Sequence, residues 1–125
     1  MGNNTFSIVQ RDKSEFLDVI NFRYSSARFI MVKLKNGEDI DGGIEWISGK
    51  QESFGKEYYI ECDNLKKGKY YCFIEYDWEE NIPQEKRIFN LCCYGASDIK
   101  YKDETAHFIN TKEKFLKKAF LAKLD

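Results

Sequence analysis

The sequence predicts an all-β fold: an antiparallel β-sandwich or barrel of about seven or eight short strands, followed by a C-terminal amphipathic helix. Three observations carry that prediction. Within residues 65–95 the run LKKGKYYCFIEYDW sets Tyr70, Cys72, Ile74, Tyr76 and Trp78 on one side of an extended chain, with Lys69, Glu75 and Asp77 on the other. A period of two, rich in aromatics, describes a strand half sunk in a core. Turn signals recur roughly every 8–15 residues before it, and past Asn110 the apolar period becomes helical.

Residues 5–11 (TFSIVQR) read as the first strand, ended by Asp12 and a polar turn through Glu15. In residues 19–24 (VINFRY), Ile20, Phe22 and Tyr24 alternate with Asn21 and Arg23. That segment reads as a second strand or as the end of a short helix begun near Ser14. Residues 27–34 (ARFIMVKL) form a β-branched, apolar strand, and Asn36-Gly37 is a turn signal. The acidic stretch 38–43 carries a Gly-Gly pair suited to a loop or bulge. Residues 44–47 form a short strand around Trp46, and the polar residues 48–56 read as a long loop. Residues 57–62 alternate Tyr58, Ile60 and Cys62 inward.

After the LKKGKYYCFIEYDW strand, KRIFNLCCYG carries apolar residues on both sides: Ile88, Cys92 and Tyr94 against Phe89, Leu91 and Cys93. Such a pattern suits a central strand, so the two runs read as the middle of one antiparallel sheet. Residues 98–102 and 106–109 each have the length of a further short strand. Asn110 is placed as an N-cap with Glu113 three residues on. Phe115, Leu116, Ala119, Phe120 and Leu124 then recur at helical spacing among Lys112, Lys114, Lys117, Lys118 and Lys123. The expected division is a sandwich over residues 1–109 and a basic helix over 110–125.

The chain of 125 residues suits one domain. Its 20 basic and 21 acidic side chains leave a net charge of −1, which argues against nucleic-acid binding through a broad cationic face. No uncharged apolar run approaches the ~18 residues of a membrane span, and residues 1–6 do not read as a secretory signal. Cys62, Cys72, Cys92 and Cys93 include no C-x-x-C pair, and the single histidine, His107, is distant in sequence. Zinc is not expected, and four free thiols inside strands suit a reduced, cytoplasmic protein.

Catalytic chemistry is not apparent. A Cys–His pair would need Cys92 or Cys93 with His107, and no third group is placed to orient the imidazole. Two acidic clusters, Glu38, Asp39 and Asp41 in one loop and Asp77, Glu79 and Glu80 in another, are candidate calcium or electrostatic loops, or simply solvated charge. The basic helix packs on the sandwich, docks a partner, or lies on an anionic membrane or in a calmodulin-like groove; Lys114, Phe115, Lys117, Lys118 and Phe120 are its candidate contact residues.

The ordered set Ile8-Val9-Gln10-Arg11-Asp12-Lys13, then Leu65, Gly68 and Tyr70, then Glu75, Asp77 and Trp78, then Tyr94-Gly95, resembles the C2-like sandwich (domain III) of calpain-type cysteine proteases, in divergent protist-like form. The resemblance spans residues 5–102. The family's Asn-Pro-Gln-Phe type opening strand and its Cys–His–Asn protease core have no counterpart here. It implies a non-catalytic regulatory or scaffolding domain that contacts a protease domain or another protein, with acidic loops linked to calcium and phospholipid. The alternative is a stand-alone interaction module that binds through a sheet edge or the basic helix.

Overall fold

The computed structural model describes residues 4–63, 65–95, 99–100, 102 and 112–124. Strands β1 (Asn4–Gln10) and β2 (Ser26–Leu34) are the most deeply buried, and each is the middle of a three-stranded antiparallel sheet. Sheet A has the order β4 (Glu57–Cys62), β1, β6 (Phe89–Gly95). Sheet B has the order β3 (Ile44–Glu52), β2, β5 (Tyr70–Asp77), and helix α1 covers Lys112–Leu124.

Alternation along β2 explains how the parts meet. Ala27, Phe29 and Met31 point one way and join Phe6, Ile8, Tyr58, Ile60 and Cys62 of sheet A in one apolar cluster. Ile30, Val32 and Leu34 point the other way and pack with Ile40, Ile44, Phe115 and Ala119 in a second cluster. Sheet B is therefore apolar on both faces: one is turned toward sheet A and the other lies beneath α1. Burying each of these large side chains contributes about 1.5–3 kcal/mol.

The sequence-based expectation of a central β5–β6 pair is overturned. The two strands lie in different sheets, each at an edge. Phe89, Leu91 and Cys93 of β6 pack on the inter-sheet cluster, but Ile88 and Tyr94 on its other side are exposed. Apolar residues on both sides of β6 thus mark an edge strand with a bare outer face. In β5, Tyr70, Cys72, Ile74 and Tyr76 pack toward sheet A, while Tyr71 and Phe73 pack toward α1.

Two other boundaries move. Residues 48–52 belong to β3 rather than to a loop, because β2 offers nine residues to pair with and Ala27 lies opposite Glu52. Cross-strand pairing outweighs the polar composition here. The register steps from Met31↔Ser48 to Val32↔Trp46, leaving Ile47 as the extra residue of a bulge. Residues 19–24 are not a strand. Phe22 stacks on Phe16 at 4.5 Å and meets Tyr24 edge-on at 5.0 Å, folding the segment onto a 3-10 turn at Lys13–Phe16.

Six strands are thus found among the described residues. His107 and the Asn110 cap lie outside those residues, as do the expected strand at 106–109 and most of that at 98–102.

Candidate functional site

The two acidic clusters lie at opposite ends of sheet B. Asp77 is opposite Ser26 at the start of β2. The loop holding Glu38, Asp39 and Asp41 leaves the far end of β2, where the Leu34 N–H donates to Lys69 O at 2.9 Å. Nine residues of strand separate them, about 25–30 Å. The structure does not bring these six carboxylates together, and no group of three or more metal-ligating side chains converges among the described residues.

At the Leu34 end the loop is satisfied by the chain itself. Asn36 Oδ1 accepts from the Glu38 N–H at 2.9 Å and the Asp39 N–H at 3.2 Å. Asp39 caps a 3-10 turn at Ile40–Gly42 by accepting from the Gly42 N–H at 3.1 Å, and Gly43 closes the turn at φ 97, where a side chain would be strained. Lys114 reaches Asp41 at 2.6 Å, and its ammonium holds the Asp41 carboxyl below the usual carboxylate range. Of these acidic groups, Asp41 ties α1 to the loop, and Asp39 shapes the loop itself.

At the Ser26 end an open cleft of about 950 Å³ lies between residues 21–23, the turn at Phe54, and residues 77–81. A polar hub braces it. Gln10 donates from Nε2 to Ser25 O at 2.9 Å and Gly55 O at 3.1 Å, and accepts from the Ser25 N–H at 3.1 Å. Tyr58 donates to Ser25 O at 3.1 Å and accepts from the Gly55 N–H at 2.8 Å. Gln10, Ser25 and Tyr58 are all buried, and burial pushes the Tyr58 hydroxyl upward. On the opposite wall the Glu79 N–H donates to Ser25 Oγ at 3.0 Å, and Asn81 Nδ2 donates to Ile20 O at 2.9 Å.

Inside the cleft, the Arg23 guanidinium lies 4.2 Å from the Phe54 ring centroid, and its Nε donates to Glu79. Trp78 borders the same space, stacked on Tyr76 at 4.6 Å. Asn21 at φ 56 and Phe54 at φ 62 are the left-handed non-glycine residues of the described chain, and both line this cleft. A bulky aromatic in that conformation is rare and is held only by its surroundings. Of the sequence-chosen residues, Asp77, Glu79 and Glu80 are here. Local sequence pattern does not mark Arg23, Asn21, Phe54 or the Ser25–Gln10 hub as parts of a site. The available signal was Phe54, an isolated aromatic in a polar run.

Helix α1 offers a second surface. Phe115 and Ala119 are buried, with Phe115 stacked on Phe73 at 5.4 Å. The sequence placed Phe115 among docking residues; it is an inward anchor, because it falls on the same helical stripe as Ala119. Phe120, Leu121 and Leu124 point outward, with exposures of 44%, 56% and 82%. Lys117 is exposed and Lys118 half-buried, while Lys114 and Lys112 are drawn to Asp41 and Glu75. Trp46 sits beside Phe120 at 6.3 Å and under the Lys123 ammonium at 5.2 Å. Gly49 makes room for that indole, since a Cβ there would fall 2.6 Å from Trp46 Cη2.

The cysteines are free, and their strand placement matches the sequence reading. Cys62 Sγ contacts Met31 Sδ at 3.7 Å in the core, and burial pushes the Cys72 thiol up to about 12. Cys92 and Cys93 are half-buried on β6. Among the described residues, no helix is long and apolar enough to cross a membrane. No family model, curated protein or solved structure matches the chain.

Proposed function

We propose that the chain is a non-catalytic C2-like β-sandwich module that docks a partner protein through the outward face of α1, the scaffolding role implied by its resemblance to the calpain-type sandwich domain. The observation that carries this reading is the division of labour on one helix. Phe115 and Ala119 fix α1 to sheet B, while Phe120, Leu121 and Leu124 remain in water beside Lys117. Exposed large apolar residues on an anchored helix, with cations alongside, suit an acidic amphipathic segment of another protein. Charge complementarity sets the partner's sign, and the apolar stripe supplies the contact area. The calcium-dependent form of the role has less support, because its two acidic loops lie at opposite ends of sheet B.

A labelled amphipathic peptide carrying glutamates beside a leucine stripe, titrated into the full chain, tests the proposal by fluorescence polarisation. Saturable binding that Leu121→Glu weakens about tenfold or more, and that added salt weakens further, is expected. Leu121 is exposed, so that substitution leaves the fold intact. Binding indifferent to Leu121→Glu, no binding, or capture by phosphatidylserine vesicles alone would each reject protein docking at this face.

A further inference from the structure

We propose that the cleft at the Ser26 end of sheet B is a receptor for a guanidinium group delivered by a ligand, which takes the place that Arg23 fills in the free chain. Arg23 displays the recognition geometry: its guanidinium lies 4.2 Å from the centre of the Phe54 ring and its Nε donates to Glu79. A planar cation stacked on an aromatic face and held at its edge by a carboxylate is how proteins select guanidinium over less specific cations. The chain's own group is a loose occupant. Its side chain is 59% exposed, and exposed ion pairs contribute little to stability.

The cleft also holds more than Arg23 uses. At about 950 Å³ it exceeds the size of one guanidinium many times over, and the Trp78 indole gives it another aromatic surface. Asp77 and Glu80 also line it, with no ion pair to another described residue, so its lining carries three acidic residues and one cation. Its walls are fixed in advance: Gln10 and Tyr58 hold Gly55 beside the left-handed Phe54, and Asn81 ties the opposite loop to Ile20 O. The cleft is aromatic and acidic, and Arg23 is held in it only by a solvent-exposed ion pair and one ring contact, so an incoming guanidinium competes with a weakly held occupant. This surface is separate from the outward face of α1, so the inference stands apart from the docking proposal.

The test uses the ¹⁵N-labelled full chain and two probes, arginine amide and the peptide Gly-Arg-Gly, with Gly-Lys-Gly as the ammonium control. Saturable amide shifts at Phe54, Trp78 and Glu79 are expected, stronger for guanidinium than for ammonium. Arg23→Ala removes the internal competitor and tightens binding about tenfold, and adding Phe54→Leu to it reverses the gain. Arg23 is exposed, so its removal leaves amide shifts outside the cleft in place; Arg23→Gln serves as a second variant. Preference for Gly-Arg-Gly identifies a chain-borne arginine as the source, and equal binding of arginine amide identifies a small ligand. Absence of saturable shifts in both the natural chain and Arg23→Ala overturns the proposal, as does binding indifferent to Phe54→Leu.

Discussion

The two ends of sheet B carry acidic loops of similar composition and put them to opposite uses. At the Leu34 end, Asp39 closes a turn and Asp41 is paired with Lys114 of α1, so both carboxylates are engaged by the chain's own groups. At the Ser26 end, Glu79 meets a half-exposed Arg23, while Asp77 and Glu80 face an open cleft. The lesson is that an acidic cluster acquires its role from the cations and backbone donors that the fold brings to it. One loop is consumed by structure, and the other keeps charge in reserve.

The largest effect that bears on this contrast comes from Phe115→Ala. It removes the anchor against Phe73 and costs about 3–5 kcal/mol, read as a drop in denaturant midpoint. The contrast would break if Phe115→Ala left stability unchanged, since α1 would then rest on its lysines alone. Raising the pH attacks the core that both ends share. Burial raises the Cys72 thiol from 9.0 to about 12, so its contribution is present below 9 and is lost as the pH rises toward 12. The amides of both ends should then lose protection together in hydrogen exchange; separate losses would mean that the two ends do not depend on one core.

Smaller effects discriminate between the ends. Arg23→Ala should cost about 1 kcal/mol or less, because an exposed pair and one cation–π contact are all it removes. A larger loss in thermal melts would make Arg23 a structural element rather than a displaceable occupant. The smallest change is expected on acidification at the other end. The Lys114 hydrogen bond depresses the Asp41 carboxyl, so its contribution is present above the ordinary carboxylate range and disappears as the pH falls through the lowered value. Amide shifts near Asp41 and Lys114 should move there, with an amplitude that high salt reduces.

Much of this frame was legible in the sequence. The strands at Glu57–Cys62 and Tyr70–Asp77 followed from period-two alternation, and the final helix from its apolar spacing. What local pattern hid was partnership. Residues 48–52 are polar and became strand because β2 was there to pair with them. The KRIFNLCCYG run looked central because it is apolar on both sides, yet an edge strand can leave Tyr94 in water. The acidic loops looked interchangeable because nothing local revealed that Lys114 would reach one of them and Arg23 the other. The cleft depends on Ser25, Gln10 and Tyr58, three residues from three strands or their flanks, whose meeting is a property of topology.

The most direct check on the docking role is amide shift mapping of the full chain during titration with the glutamate-bearing amphipathic peptide. The account predicts shifts concentrated at Lys117, Phe120, Leu121 and Leu124, with Arg23, Phe54 and Glu79 undisturbed. Shifts concentrated on the β6 edge or in the cleft, with the outward face of α1 silent, would contradict it.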